Sequence, residues 1–397
     1  MINIERPEDR IPPDTFSLFA LGFRPFFLFS AIVSVILILL WLPYLYGHLS
    51  LASHFNPLMW HAHEMVFGFT TGVIAGFLLT AARNWTSMET PSGTPLILIF
   101  SIWTLGRLAV TVPLGLPAGL IAAIDLLFIP SVIAGLAGPL IKARNIRNIA
   151  FLFILALLWF ANLLMHLEPL GVSNSARAGT DLGLGVVILV IVIMGGRVIP
   201  FFTRNPLPGM TPRKWGWVEF CSVFGTVVLL FLELLVPLAI IPAIWSLLLG
   251  LILLLRVSGW YDKRIWQHPI IWVLHVAYAS IALGFVFKGL ALLDWVPAST
   301  AIHMLSYGGI GLITLGMMGR VSLGHTGRML HLPPLTVMGI KVLTVGILFR
   351  LGATLFGGAL GSALLGIAAL CWILAFGAFA KEYLPYLIKP RIDGRPG

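Results

Sequence analysis

The sequence predicts an all-α protein that crosses a membrane about twelve times. Of its 397 residues, 59% are hydrophobic and 10% are charged, and the mean hydropathy is +0.99, whereas soluble domains carry about 25% charged residues. In addition, apolar runs of roughly 20 residues, the length that spans a bilayer, recur along the whole chain. They lie near residues 24–46, 58–82, 95–112, 117–141, 148–168, 179–201, 216–236, 238–256, 268–291, 299–320, 335–356 and 361–386.

The positions of the basic residues agree with this count and set the orientation. With a cytoplasmic N-terminus, the segments on that side carry 19 of the 25 Lys and Arg residues, as the positive-inside rule requires. Both termini are then cytoplasmic, in a short segment 1–22 and a tail 387–397. We therefore expect a single transmembrane helical domain over 1–397, without a cleaved signal peptide. The net charge of +10 is explained by basic residues in the loops beside the lipid bilayer, and nucleic acid is not expected as a partner.

A weak repeat relates every fourth span. The ends of the second, sixth and tenth spans read FLLTAARNWT, GGRVIPFFTRNP and MGRVSLGHTGR, each closing on threonine and arginine. Arg107 in the third span also has a counterpart in Arg350 of the eleventh. Units with an even number of spans would be parallel repeats, related by an axis along the membrane normal.

The second span begins with WHAHEMVFGFTTGVIAG. The 100° step of an α-helix places His61 and Glu64 on one face, and glycines continue that face every four residues as far as Gly76. His63 is expected to point elsewhere. A glycine face lets a second helix or a flat ring approach closely. Ionisable side chains at the membrane edge are costly, which favours a functional role for them.

Histidine is the residue type from which we expect the metal ligands. The two cysteines lie singly inside apolar runs and form no CxxC motif, and imidazole is both the usual axial ligand of haem iron and a good ligand of copper. Arginines near the membrane faces could pair with haem propionates. The predicted haem or metal ligands are His61, His63, His275, His303 and His325, with His166 as a possible copper or extra ligand, and the predicted propionate partners are Arg107, Arg197, Arg320 and Arg328.

Three of these segments carry a resemblance to a known family. WHAHEMVFGF with GFLLTAARNWT, then GRVIPFFTRN, then HMLSYGGIGLITLGMMGRVSLGHTGR are similar to the NnrS family of bacterial membrane proteins. The resemblance runs through nearly the whole chain. It implies haem and copper as cofactors, the bacterial cytoplasmic (inner) membrane as the location, and a role in nitric oxide metabolism and nitrosative stress, without saying which residue binds which cofactor. By residue it concerns His61, His63, Glu64, Arg197, His303, Arg320, His325 and Arg328.

The predicted function is therefore that of a haem b protein, with copper as a further cofactor, that binds nitric oxide and reduces or otherwise detoxifies it. The gas partitions into the apolar bundle, Glu64 delivers protons as the catalytic residue beside His61, and quinol supplies electrons. The sequence lacks the adjacent His-His pair and the His-Pro-Glu-Val-Tyr segment of haem-copper oxidases. If this protein handles nitric oxide, it uses a different scaffold.

Two other functions are compatible with the sequence. A proton-coupled secondary transporter would use Glu64, His61 and Arg107 near the outer face. Transporters often break helices at midspan prolines, and most prolines here lie at span ends, Pro130 and Pro237 included, which disfavours that function. A haem-bearing sensor or partner protein without turnover would share every feature of the enzyme.

Overall fold

The computed structural model describes residues 11–51, 53–236 and 239–395, which are helical and contain no strand. Arg6 and Arg10 of the predicted N-terminal segment lie outside these ranges, as do Pro237 and the last two residues of the tail. Twelve helices in the described ranges are long and apolar enough to cross a membrane, which confirms the predicted fold class. They are α1 (Phe23–Leu45), α2 (Pro57–Thr86), α3 (Thr94–Thr111), α4 (Ala118–Lys142), α5 (Ile146–Leu167), α6 (Ala176–Arg204), α7 (Gly216–Leu235), α8 (Ile240–Ser258), α9 (Pro269–Leu292), α10 (Ala298–His325), α11 (Pro334–Leu355) and α12 (Gly358–Ile388).

Helix α2 begins sharply and then changes its winding. Asn56 caps it, its Oδ1 accepting from the Met59 amide at 3.0 Å, and Pro57 occupies the first turn, where its missing N–H costs nothing. After one α-helical segment, Glu64–Thr70 winds as a π-helix before α-helix resumes at Thr71. Because a π segment shifts the faces on which later side chains lie, the regular 100° projection does not hold there.

Helix α10 has the same construction. The α-helical segment Ala298–His303 is followed by a π segment, Met304–Gly311, and then by α-helix from Leu312 to His325. In both spans the π segment starts directly after a histidine, His63 or His303. π segments inside α-helices occur frequently at functional sites.

Helix α4 is interrupted in the middle, between Ala118–Leu126 and Phe128–Lys142. The cause is Pro130, which has no N–H to donate to the carbonyl of Leu126 four residues earlier. The indole Nε1 of Trp159 donates to that carbonyl instead, at 3.0 Å. The prediction that Pro130 lies at a span end is therefore wrong, and the argument it supplied against a transporter is weakened.

The described helices divide into two compact units. Of the described residues, those in 11–179, 318–336 and 376–395 form the first unit, and those in 180–317 and 337–375 form the second. In the first unit, α2 packs against α1 and α4, and α4 packs against α3 and α5. In the second, α8 packs against α7 and α9, and α9 packs against α10. The first unit holds the polar cluster described next.

Candidate metal centre

Helices α2, α4 and α5 bring three potential metal ligands together inside the first unit. One ligand atom from each of His63, Asp125 and His166 lies within 4.8 Å of the others. Nε2 of His63 is 3.1 Å from Asp125 Oδ2, and Nε2 of His166 is 3.0 Å from the same oxygen. The exposed fraction of these side chains is at most 2%, so all three are removed from solvent.

His63, rather than His61, is the partner of Glu64. Its Nδ1 lies 3.0 Å from Glu64 Oε1, and both side chains are fully buried. His63 is the last residue of the α-helical segment and Glu64 the first residue of the π segment, and both side chains face the interior of the unit. His61 is half-buried and stacks on Trp41, with ring centroids 4.2 Å apart and an interplanar angle of 11°. The sequence expectation, which paired His61 with Glu64 and turned His63 away, is wrong on this point.

Arg107 of α3 holds the two carboxylates of the cluster. Its Nη1 lies 3.2 Å from Glu64 Oε1, and its Nη2 forms an ion pair with Asp125 Oδ1. Asn162 adds a neutral contact, donating from Nδ2 to Asp125 Oδ2 at 2.7 Å, while its Oδ1 lies 3.0 Å from His63 Nε2. Arg107 was predicted to bind a haem propionate, and here its partners are carboxylates of the chain itself.

The charges of this cluster call for one further cation. With both carboxylates ionised, Glu64 and Asp125 face a single guanidinium, which leaves one net negative charge inside a transmembrane bundle. An uncompensated charge is costly in such surroundings. Both ring nitrogens of His63 face carboxylate oxygens, and carboxylates only accept hydrogen bonds. The balancing positive charge is therefore a proton held within the cluster or a bound metal cation.

The outer side of the cluster is closed by two residues of the loop between α1 and α2. His54 Nε2 lies 3.1 Å from His166 Nδ1, and the buried ring of Phe55 contacts His63 and His166, with centroid distances of 4.8 and 5.3 Å. Burial lowers the pKa of His54 to about 4, helped by the neighbouring His166 and His63. His54 is therefore neutral at physiological pH.

The donor set fits a first-row transition metal. Both histidines direct Nε2 at the shared Asp125 oxygen, and both have Nδ1 engaged by a second residue, Glu64 for His63 and His54 for His166. An orienting partner on the second ring nitrogen is the usual arrangement at metal-ligating histidines. Imidazole with one carboxylate suits copper, zinc or iron. Asp125 was not among the ligands predicted from the sequence, all of which were histidines.

The glycine face of α2 is filled by neighbouring helices. A Cβ atom added at Gly72 would meet Trp103, at 3.2 Å from its ring, and one at Gly76 would come within 2.8 Å of Phe26 Cβ. At Gly68 it would meet Glu64 Oε2 at 3.0 Å and the side chain of Arg107. These glycines therefore serve helix packing, and a flat porphyrin does not fit on this face.

Two other predicted ligands, both in the second unit, have their ring nitrogens engaged. His303 directs Nδ1 at the Ser299 carbonyl at 2.7 Å and accepts from Arg350 Nη2 at Nε2, at 2.6 Å. His275 has Nδ1 3.2 Å from the carbonyl of Ile271 and Nε2 3.3 Å from that of Trp260. In this conformation neither ring presents a nitrogen to a haem iron.

The remaining predicted residues have surroundings of their own. His325 ends α10 and packs its ring against Phe23, at 5.5 Å between centroids, and Arg328 lies over the ring of Tyr386 at 4.0 Å. Arg197 is half-buried in α6 and Arg320 is buried in α10.

Three residues of the cluster were not among the predicted site residues. Asp125 and Asn162 are polar residues inside apolar spans, and an ionisable residue at such a position is itself a signal of function. His54, in contrast, lies in a loop, and its contact with His166 depends on how that loop folds back. The sequence carries no comparable signal for it.

The comparisons with known proteins agree with the resemblance seen in the sequence. None of the curated proteins compared with the chain matches it. The family model described as NnrS protein matches residues 17–391, which is nearly the full length and includes every residue of the cluster. The chain therefore belongs to the NnrS family of multi-pass membrane proteins.

Proposed function

We propose that this protein holds a transition metal at His63, Asp125 and His166 and uses it to bind nitric oxide and to reduce or otherwise detoxify it. The observation that carries the proposal is the pair of buried imidazoles that share one carboxylate oxygen, each with its second nitrogen held by another residue. The NnrS family is associated with the response to nitric oxide, and the resemblance implies copper among its cofactors. A bacterial cytoplasmic membrane is the location that goes with this function.

The metal would supply a site for the diatomic gas and the capacity to exchange electrons with it. The protein supplies the surroundings. Asn162 and Arg107 fix the orientation of Asp125, and Phe55 closes the outer side of the cluster against water. Nitric oxide is small and uncharged, so it reaches the buried cluster through the apolar bundle and the lipid.

Glu64 is the residue we assign to proton delivery. Its Oε1 contacts His63 and Arg107, whereas its buried Oε2 has no hydrogen-bond partner among the described atoms. A buried carboxylate oxygen without a hydrogen-bond donor is an atom through which a side chain can take up and pass on a proton. Replacing Glu64 by Gln keeps the shape and removes the proton exchange. Turnover should fall while the metal content stays unchanged.

Haem b is implied by the family resemblance, but three of the places where it was expected do not fit it in this conformation. The glycine face of α2 is filled, and the nitrogens of His275 and His303 are engaged. We therefore derive no step through a haem. Quinol as the electron donor likewise stays a prediction.

The test combines metal analysis with nitric oxide binding by the purified protein in detergent. The wild type should contain stoichiometric metal and show an absorption or electron paramagnetic resonance change with nitric oxide. His166→Gln should lose both, and His48→Gln, a change at an exposed histidine of the outer loop, should lose neither. A wild type without metal that takes up none on addition would refute the proposal.

A proton-coupled transporter is the second candidate, favoured by one observation. Glu64, Asp125, Arg107 and His63 form a buried acid-base network, and such networks carry protons in pumps and transporters. A metal-free wild type that moves protons when reconstituted in vesicles, and loses this in Glu64→Gln, would support it. A sensor would instead keep the metal and bind nitric oxide without consuming it.

A further inference from the structure

The outer loop places one histidine between the cluster and the solvent. His54 is half-exposed, whereas its partner His166 is fully buried. Among the described members of the hydrogen-bonded cluster, His54 is the one that reaches the surface. Phe55 covers the rings of His63 and His166 beside it. His54 therefore stands at the point where a cation from the outer side first meets the cluster.

The loop holds this imidazole in place. The amide of His54 donates to the carbonyl of Val110 at the end of α3, at 3.1 Å. Next to it, Ser53 Oγ donates to the Phe55 carbonyl at 2.6 Å and lies 3.2 Å from the hydroxyl of Tyr44. The ring of His54 packs edge-on against Phe55, with centroids 4.8 Å apart. These contacts fix the position of the His54 ring and therefore its contact with His166.

The contact with His166 determines which nitrogen of His54 is available to a cation. The Nε2 of His54 faces the Nδ1 of His166 at 3.1 Å, so the Nδ1 of His54 is the nitrogen that lies outside this contact. A ring nitrogen of histidine is the commonest metal ligand among side chains.

We propose that His54 is the loading residue of the metal site: it takes up a transition-metal cation from the outer side and passes it to His166. This inference depends on the proposed function, because it presupposes a metal at His63, Asp125 and His166. It adds the route by which the metal reaches the site and the residue that provides this route. His54 controls how fast the cluster fills, while the three ligands control whether it fills.

The experiment measures the rate and the extent of Cu²⁺ uptake by the chelator-treated full-length protein in detergent. His54→Ala removes the imidazole. His54→Gln keeps a side-chain N–H that can donate to His166 but has no imidazole lone pair. His48→Ala, at an exposed histidine of the same loop, is the matched control. We expect both His54 variants to load about tenfold or more slowly, on the scale by which outer partners influence metal sites, and to reach wild-type occupancy at saturating Cu²⁺.

Each result decides one question. If His54→Ala loads as fast as the wild type and His48→Ala, the inference is overturned while the metal site stands. If His54→Gln restores the wild-type rate, His54 only orients His166, and the loading role is overturned. If either variant loses final occupancy as His166→Gln does, His54 is a ligand and not a loading residue. If the wild type takes up no Cu²⁺, the proposed function and the inference fail together.

Discussion

Replacing Arg107 by Gln should destabilise the protein far more than removing an arginine from an exposed ion pair. Arg107 contacts Glu64 and Asp125, whose side chains are at most 2% exposed, and breaking a buried pair by removing one partner costs about 3–5 kcal/mol. Arg83→Gln is the control, because Arg83 and its partner Glu89 are 31% and 74% exposed. Such a pair contributes about 0–1 kcal/mol.

The assay is equilibrium unfolding of the metal-free proteins in mixed micelles, followed by tryptophan fluorescence. A loss of about 3–5 kcal/mol corresponds to a fall of roughly 10²- to 10⁴-fold in the ratio of folded to unfolded protein. The double variant Arg107→Gln, Asp125→Asn should lose less than Arg107→Gln alone, because one of the unpaired charges is gone. Equal losses for Arg107→Gln and Arg83→Gln would refute the charge arrangement proposed for the cluster.

Three further predictions follow from the same contacts. Gly68→Ala should lower stability by about 1–3 kcal/mol through overpacking against Glu64 and Arg107, whereas Gly366→Ala in α12, which faces open space, should be neutral or stabilising by up to about 1 kcal/mol. Cu²⁺ binding should release about one to two protons, since the Nε2 hydrogens that His63 and His166 direct at Asp125 must leave the ligand nitrogens, and calorimetry in buffers of different ionisation enthalpy measures this. Hydrogen bonds from Arg264 lower the pKa of the partly exposed Asp262 to about 2, so the stability that this pair adds is present above about pH 4 and is lost as the pH falls towards 2. The difference in unfolding midpoint between the wild type and Asp262→Asn should shrink over that window.

The transmembrane fold could be predicted from the sequence because hydropathy and charge act over whole segments. Twelve apolar runs predicted twelve spans, and the boundaries differ by a few residues, most at α10, which ends at His325 rather than near residue 320. Each unit also contains an arginine that contacts a residue at the start of a π segment. Arg107 contacts Glu64 of α2, and Arg350 contacts His303 of α10, in each case beside a π segment.

The site could be predicted only in part, because its details depend on side-chain contacts that helix periodicity does not specify. The 100° projection placed His61 beside Glu64 and turned His63 away, whereas His63 is the residue in contact with Glu64. Contacts between helices could not be predicted from residue spacing either, because His63 and Asp125 are 62 residues apart in the sequence. Asp125 could have been singled out as an acidic residue inside an apolar span.

In the proposed site, two imidazoles and one carboxylate from α2, α4 and α5 bind a metal. Pulsed electron paramagnetic resonance of the Cu²⁺-loaded protein tests it most directly, because the remote nitrogens of coordinated imidazoles modulate the signal. We predict two coordinated imidazoles in the wild type and the loss of this two-imidazole signal in His63→Gln and in His166→Gln. A signal that neither substitution changes would place the copper elsewhere and contradict the account.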